Sequence, residues 1–321
     1  MMKPRVFYYV PESRDVPAGG ILTLLSHVSA LNSLGCEAYA VSEREITLSW
    51  SDLTFPQRAL AHVHEELSPE DIVVVPEGSL KVRQRYFATA KRAIVIALSY
   101  RYMPAKLLKT SNFAGLGFSH IITSGQFTME LVKSKPYYAN LPINIVRESI
   151  DSCSHLFYPD PEHQNVNSVL ILANKNVLQA YALHAGLRLM RVKRRIPYVP
   201  VRLVSDLAQD VFAAVMRASE IVVVPYTKEG FGRVPLEAML AHCAVVTYRT
   251  SGPDYLVDGE NALVAPDNNA VTILKHVCRL MKDQTLKQSL KHGGLLTARK
   301  YSQRSQNEDL SKLFGPLGCM G

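Results

Sequence analysis

Two glutamates at the ends of a glycine-rich loop are the residues of this chain best suited to chemistry. Glu229 and Glu237 lie eight positions apart in the segment EGFGRVPLE. The glycines on both sides of Phe231 allow backbone amides to approach a ligand closely. An ionised carboxylate can accept two hydroxyl hydrogen bonds, as a vicinal diol requires. This arrangement suits a ligand with hydroxyls at both ends and phosphates between them, which is the layout of a nucleoside-diphosphate sugar.

The elements around this loop place it at the edge of a sheet. The apolar run Glu220–Pro225 predicts a buried strand, and Pro235 predicts the first turn of the helix that follows. Glu237 is then expected in that first turn, where the helix dipole favours a carboxylate by roughly 0.3–1 kcal/mol. In open α/β sheets, ligands bind at the carboxyl ends of strands, so this loop is where a site is expected.

Short apolar strands alternate with amphipathic helical segments along nearly the whole chain, which predicts parallel sheets covered on both faces. The pattern starts again after the turn-rich stretch at residues 158–162. We therefore predict two doubly wound α/β domains that face each other across a cleft. Residues 1–155 form the first domain, residues 156–300 form the second, and residues 301–321 form a C-terminal tail whose glycine-rich end, Gly315–Gly321, is loose. The predicted strands are Arg5–Val10, Cys36–Ser42, Asp71–Pro76, Ala93–Leu98, His120–Thr123, Ser168–Ala173, Tyr198–Val204, Glu220–Pro225 and Ala244–Tyr248.

Composition and charge narrow the class of protein. Of 321 residues, 47% are hydrophobic and 20% are charged, which excludes disordered, collagen-like and low-complexity proteins. No apolar run approaches the length of a membrane span, and no secretory signal is recognisable. Lys and Arg total 36 against 28 Asp and Glu, so the net charge of +8 favours anionic partners. The five cysteines are scattered, which is typical of free thiols in a reducing cytoplasm.

The wider context of the two glutamates resembles the retaining glycosyltransferases of family 4 (group 1), which have the GT-B fold. Glutamates eight apart are common, but here they stand among EGFG, a proline, LEAM and, further on, VDGENALV. The resemblance is clearest from residue 206 to 267. It implies a donor site for a nucleoside-diphosphate sugar, with no other cofactor and no metal. It also implies retention of the anomeric configuration and transfer to a glycan, a lipid-linked acceptor or a small molecule.

Carried over residue by residue, the resemblance implies that Glu229 contacts the hydroxyls of the donor sugar and that Glu237 binds the ribose. Gly230, Phe231 and Gly232 present the loop amides to sugar or phosphate. The phosphate charge must then be neutralised by cations and amides, which favours departure of the nucleotide.

The basic residues of the predicted donor site match the family's pattern less closely than the glycine-rich loop does. The family places an arginine and then a lysine after the first strand of the second domain. Here the segment Leu172–Val177 contains Lys175 and no arginine. Lys175 is therefore the candidate phosphate ligand and a catalytic candidate beside Glu229. Arg233 lies at a helix N-terminus, where a cation is mildly unfavourable, which indicates an anion nearby.

On the acceptor side, the family's N-terminal glycine loop is similar to Gly19-Gly20 ahead of the first helix. Tyr100 and Arg101, after the strand Ala93–Leu98, occupy the place of its histidine loop. Other interpretations stay open. The incomplete phosphate clamp is compatible with a catalytically degenerate binding subunit. The charge alone would allow a nucleic-acid-binding protein, although no basic stripe with interleaved aromatic residues supports this. The basic runs 81–85 and 193–195 are solvated surface or contact anionic lipid at the inner face of a membrane.

Overall fold

The computed structural model describes residues 3–11, 18–49, 51–98, 109–151, 154–164, 168–227, 229–249 and 252–320. The chain divides into two compact units. The first unit contains residues 1–149 together with residues 302–321, and the second contains residues 150–301. The predicted domain boundary at residue 155 thus falls inside the second unit.

The first unit is a parallel sheet with the strand order β3-β2-β1-β4-β5-β6-β7. Its strands are β1 Val6–Tyr9, β2 Ala38–Ser42, β3 Gln57–Ala59, β4 Ile72–Pro76, β5 Arg92–Ala97, β6 His120–Thr123 and β7 Ile143–Ile145. Its helices are α1 Gly19–Ser33, α2 Leu60–Glu66, α3 Leu80–Tyr86, α4 Gln126–Lys133 and α10 Gln303–Phe314. The chain order reverses between β1 and β4, which makes their carboxyl ends the switch point of this sheet.

Alternate residues of the central strands supply two separate cores. Val6 and Tyr8 pack with α1 and α10 on one face of the first sheet. Phe7 and Tyr9 pack with α2 and α3 on the other face. Burial on both faces explains why these strands are continuous apolar runs instead of alternating ones.

Most of the predicted C-terminal tail is helical. Residues 303–314 form α10, whose Leu310 and Phe314 are fully buried against α1 and the first sheet. Arg147 beside β7 binds Asp309 of α10 with an Nε–Oδ2 distance of 2.6 Å. Only a few apolar residues, spaced three or four apart, anchor this helix. A mostly polar segment is therefore an integral part of the first unit.

The second unit is a parallel sheet with the strand order β12-β11-β10-β8-β9. Its strands are β8 Val169–Leu172, β9 Val201–Val204, β10 Ile221–Val224, β11 Ala244–Tyr248 and β12 Leu263–Ala265. Its helices are α5 Val177–Val192, α6 Gln209–Arg217, α7 Arg233–Leu240, α8 Ala270–Lys282 and α9 Gln284–Ala298. The chain order reverses between β8 and β10, so the loops that follow these two strands meet at the switch point.

Two further features bear on the class of protein. Cys36, Cys243, Cys278 and Cys319 are free thiols, and Cys153 lies outside the described residues. Among the described residues, no helix combines the length and the apolar character that a membrane crossing requires.

Candidate functional site

The switch point of the second sheet brings together a lysine and a glutamate that are distant in sequence. Lys175 follows β8 and Glu229 follows β10, and these neighbouring strands run parallel. The Nζ of Lys175 lies 2.5 Å from Oε1 of Glu229. The Glu229 side chain is only 11% exposed, whereas that of Lys175 is 54% exposed. The pair therefore presents a solvent-accessible cation held in position by a largely buried carboxylate.

Tyr226 lies beside this ion pair. It lies two residues after the end of β10, and the Nζ of Lys175 lies 5.3 Å from the centroid of its ring. Burial, together with the charges of Glu229, Glu237 and Asp206, raises the pKa of Tyr226. The phenol therefore stays protonated and can act as a hydrogen-bond donor throughout the neutral pH range.

Glu237 lies deeper in its helix than the sequence predicts. Gly232, with φ near +80°, is the residue before α7, so the helix begins at Arg233 and not at Pro235. Proline is tolerated two positions further in because the first amides of a helix have no partner within it. The expectation that Glu237 lies in the first turn is therefore wrong, and the helix dipole, which falls off within that turn, contributes less than expected.

An arginine of the same helix accompanies Glu237. The Nε of Arg233 lies 3.9 Å from Oε1 of Glu237, one helical turn away. The sequence predicts an anion near Arg233, and the carboxylate of Glu237 is one such anion. Burial raises the pKa of Glu237, and Arg233 partly offsets this effect. Burial raises the pKa of Tyr255, and the charges of nearby Tyr301, Glu229 and Glu237 raise it further.

A second loop, at residues 252–255, holds the glycine-rich loop in place. The hydroxyl of Tyr255 donates to the carbonyl oxygen of Gly232. The rings of Phe231, Tyr255 and Tyr301 form a buried cluster with centroid distances of 5.4–5.5 Å. Phe231 is thus a packing anchor that fixes the backbone amides on either side of it.

Gly252 packs directly on the backbone of Glu229 and Gly230. A Cβ atom at position 252 would lie 1.8 Å from the Gly230 oxygen and 2.3 Å from the Glu229 oxygen. We expect Gly252→Ala to displace the loop, because a backbone carbonyl cannot rotate away as a side chain can. The expected cost is about 1–3 kcal/mol in unfolding free energy. Amide hydrogen exchange at residues 230–232 should also become faster. Val257→Ala, at a half-exposed position nearby, is the matched control. Unchanged exchange in the glycine variant would contradict this role.

A small cavity lies at the carboxyl ends of β8 and β9, beside the segment that contains Lys175. Its volume is about 150 Å³, and its lining includes Asn174, Tyr181 and Asp206. The amide nitrogen of Asn174 lies 3.2 Å from Oδ1 of Asp206. The cavity thus places hydrogen-bonding groups and an aromatic ring next to Lys175.

The switch point of the first sheet holds the predicted acceptor-side glycines. Gly19 and Gly20 begin α1, and a Cβ on Gly20 would meet Leu98 at an ordinary contact distance of 3.5 Å. The buried carboxylate of Glu148 lies beside them: the Thr23 hydroxyl oxygen is 2.6 Å from Glu148 Oε2 and 2.9 Å from the Gly19 carbonyl oxygen. Buried Glu77, after β4, accepts a hydrogen bond from the Leu98 amide at 3.1 Å. Tyr100 and Arg101 lie outside the described residues.

Several residues of these two sites are absent from the predicted set. They are Tyr226, Gly252, Tyr255 and Tyr301 in the second unit, and Glu77 and Glu148 in the first. Tyr226 and Glu77 each follow a predicted strand directly, so the sequence could have placed them at the carboxyl edge of a sheet. The others are brought to the sites by loops and by the far end of α9, which local sequence patterns do not specify. Among the described residues, no group of His, Cys, Asp and Glu side chains is arranged to hold a metal ion.

Comparison with known proteins gives this geometry a family context. Residues 169–283 match the family model described as "Glycosyl transferases group 1". This range contains Lys175, Glu229 and Glu237. An uncharacterized glycosyltransferase of Methanocaldococcus jannaschii is 30% identical over 109 residues, which are 34% of this chain and 31% of that protein. The chain thus matches about a third of this relative's own length.

Two solved structures resemble nearly the whole chain. A glycosyltransferase from Rickettsia africae has a TM-score of 0.76 and is 12% identical, covering 98% of each chain. The HepE protein of Anabaena in complex with UDP-glucose has a TM-score of 0.75 and is 14% identical, covering 97% of this chain and 99% of its own. At these identities the likeness is one of fold. It confirms the predicted GT-B class, with two doubly wound α/β units.

Proposed function

We propose, from the premise that residues 169–283 form a group 1 glycosyl transferase domain, that the chain is a retaining glycosyltransferase. It transfers a sugar from a nucleoside-diphosphate donor to a hydroxyl acceptor. The observation that carries this proposal is the Lys175–Glu229 ion pair at the switch point of the second sheet, with the buried Glu237 in the helix that follows the same loop. A carboxylate, a cation and a second carboxylate in one region match the sugar, diphosphate and ribose of such a donor.

In this proposal the residues divide the work of binding and activating the donor. Glu229 accepts hydrogen bonds from the sugar hydroxyls, and Glu237 accepts them from the ribose. Lys175, together with the amides of residues 230–232, stabilises the negative charge that grows on the diphosphate as the sugar leaves. These groups can neutralise that charge without a metal ion. We therefore propose that transfer continues in the presence of a chelator.

The switch point of the first sheet is the proposed acceptor side. Gly19 and Gly20 leave the N-terminus of α1 free of side chains. Glu148 and Glu77 add carboxylates that can accept hydrogen bonds from the hydroxyls of a glycan. The acceptor class is a glycan, a lipid-linked sugar or a small molecule.

The experiment is a screen of nucleotide sugars, with donor binding followed by thermal shift and transfer or hydrolysis followed by product analysis. UDP and UDP-glucose come first, because the Anabaena relative binds UDP-glucose. We expect a rise in melting temperature with one donor class, since a ligand that binds only the folded state stabilises it. We also expect a product that retains the donor's anomeric configuration. If no nucleotide sugar binds, the proposal is wrong.

The second candidate function is a binding subunit that does not catalyse transfer. It is favoured by one observation, the absence of an arginine from the segment Leu172–Val177, which leaves Lys175 as the cation of that segment. Under this alternative the same screen detects nucleotide-sugar binding without turnover. Measurable transfer excludes it.

A further inference from the structure

Helix α5 has an apolar face that the core of the second unit does not use. Ala180, Leu183 and Leu187 pack into that core. On another side of the helix, Ala185, Leu189 and Val192 follow one another at spacings of four and three residues, so they form one stripe. Leu189 is 54% exposed and Val192 is 79% exposed. Such a stripe is typical of a surface that meets another apolar phase.

The loop after α5 extends this stripe with an aromatic ring. Tyr198 is 84% exposed, while Ile196 and Val199 on either side of it are buried and fix the loop. The Arg191 guanidinium lies 4.1 Å from the centroid of the Tyr198 ring. It also donates to the Val199 carbonyl oxygen at 3.1 Å. An exposed tyrosine held beside an arginine matches the amphipathic side chains found where proteins meet the headgroups of a bilayer.

The charge around the stripe has a single sign. Residues 163–205 contain no Asp or Glu and seven basic residues: Lys175, Arg188, Arg191, Lys193, Arg194, Arg195 and Arg202. Among the described residues, no ion pair involves residues 188–195. Helix α8 packs beside α5, where Cys278 Sγ lies 3.8 Å from Met190 Sδ. It adds exposed Lys275, Arg279 and Lys282, and residues 268–282 hold no acidic residue.

We propose that this surface, here called the α5 patch (Leu189, Val192, Tyr198, Arg188 and residues 191–195), docks the protein on a membrane that contains anionic phospholipids. Leu189, Val192 and Tyr198 enter the headgroup region, and the basic residues contact the lipid phosphates. A cavity of about 690 Å³, lined in part by Arg191, Arg194 and Arg195, can accept a phospholipid headgroup. Attachment of this kind needs no membrane-spanning helix.

The chemistry of the patch favours a lipid surface over two other occupants. A second copy of the chain, docked through the same patch, would bring arginines against arginines with no carboxylate to neutralise them. A nucleic acid would satisfy the charge, but it gives the exposed Leu189 and Val192 no apolar environment. Only a lipid surface offers both phosphates to the basic residues of the patch and hydrocarbon to its apolar residues.

The test is sedimentation of the full chain with vesicles of phosphatidylcholine alone, or of phosphatidylcholine and phosphatidylglycerol in equal parts. We expect binding to the anionic vesicles only, weakening as salt is added. Each basic residue near an anionic surface contributes about fivefold in binding. The triple variant Arg188→Glu/Lys193→Glu/Arg195→Glu should therefore bind at least roughly 100-fold more weakly. Leu189→Ser/Val192→Ser should bind more weakly at the same net charge.

Lys109→Glu/Lys133→Glu/Lys135→Glu is the matched control, since it changes the net charge equally at exposed positions of the first unit. It should bind close to the wild-type level, and thermal melting should show that every variant is folded. The proposal is overturned if the wild type ignores anionic vesicles, if the control loses binding as the α5-patch variant does, or if the serine variant binds as the wild type does. Preferential binding of a random oligonucleotide, lost in the same triple variant, would assign the patch to nucleic acid instead.

Discussion

Replacing Glu229 with alanine is expected to lower the rate of sugar transfer by about 100- to 1,000-fold. The substitution removes the acceptor of the sugar hydroxyl hydrogen bonds. It also removes the carboxylate 2.5 Å from Lys175, so that the cation is no longer oriented toward the charge that develops on the diphosphate in the transition state. The first change affects the sugar that is transferred, and the second affects the nucleoside diphosphate that leaves. The measurement is kcat/KM for product formation with the donor that the binding screen identifies.

Two companion variants separate this effect from a general loss of structure. Lys175→Met keeps the aliphatic stem and removes the charge, and it should impair transfer to a similar extent. Glu162→Ala removes an exposed glutamate of the same unit and should leave kcat/KM unchanged. Turnover by Glu229→Ala equal to that of the wild type would mean that the ion pair is only structural.

Replacing Glu220 with glutamine is expected to cost about 3–5 kcal/mol of unfolding free energy. Glu220 is buried at the amino end of β10. The Nζ of Lys287 lies 2.8 Å from it and the Nζ of Lys291 lies 3.9 Å from it. Lys287 is fully buried, and burial lowers the pKa of Lys291. Without the carboxylate, the two buried ammonium groups lose the negative charge of Glu220. For a unit of this size the melting temperature should fall by roughly 6–20 °C.

A double variant tests whether the cost arises from unpaired charge. In Glu220→Leu/Lys287→Met the buried pair is replaced by apolar side chains of similar volume, which is often neutral or stabilising. We expect it to melt well above Glu220→Gln. Because Glu220 lies at the edge of the sheet opposite Glu229, donor binding by either folded variant should stay at the wild-type level. A melting temperature unchanged by Glu220→Gln would contradict this account of the buried cluster.

The central strands and the position of the candidate donor site could be predicted from the sequence. Runs such as Ile72–Pro76 and Ile221–Val224 are apolar on both faces, and this pattern is specific to buried parallel strands. Once the strands are placed, the loop after β10 must lie at the carboxyl edge. The pairing of Glu229 with Lys175 depended on the strand order, in which β8 lies beside β10.

The elements that escaped prediction are those whose stability comes from distant contacts. Strand β3 is only three residues long and includes Gln57 and Arg58, so it has no apolar pattern of its own. Helix α10 is polar apart from a few residues, and its place is fixed by α1 and by Arg147. The start of α7 depended on the left-handed conformation of Gly232, which the sequence permits but does not require.

The central claim is that Glu229 and Glu237 bind opposite ends of one donor, the sugar and the ribose. Its most direct test is calorimetric titration of UDP and UDP-glucose into the wild type, Glu229→Ala and Glu237→Gln. We predict that Glu237→Gln weakens binding of both ligands, since both contain the ribose. Glu229→Ala should weaken binding of UDP-glucose alone and leave UDP binding unchanged or tighter, because a carboxylate beside the diphosphate is gone. Equal loss of affinity for the two ligands in Glu229→Ala, or no loss in either variant, would contradict the claim.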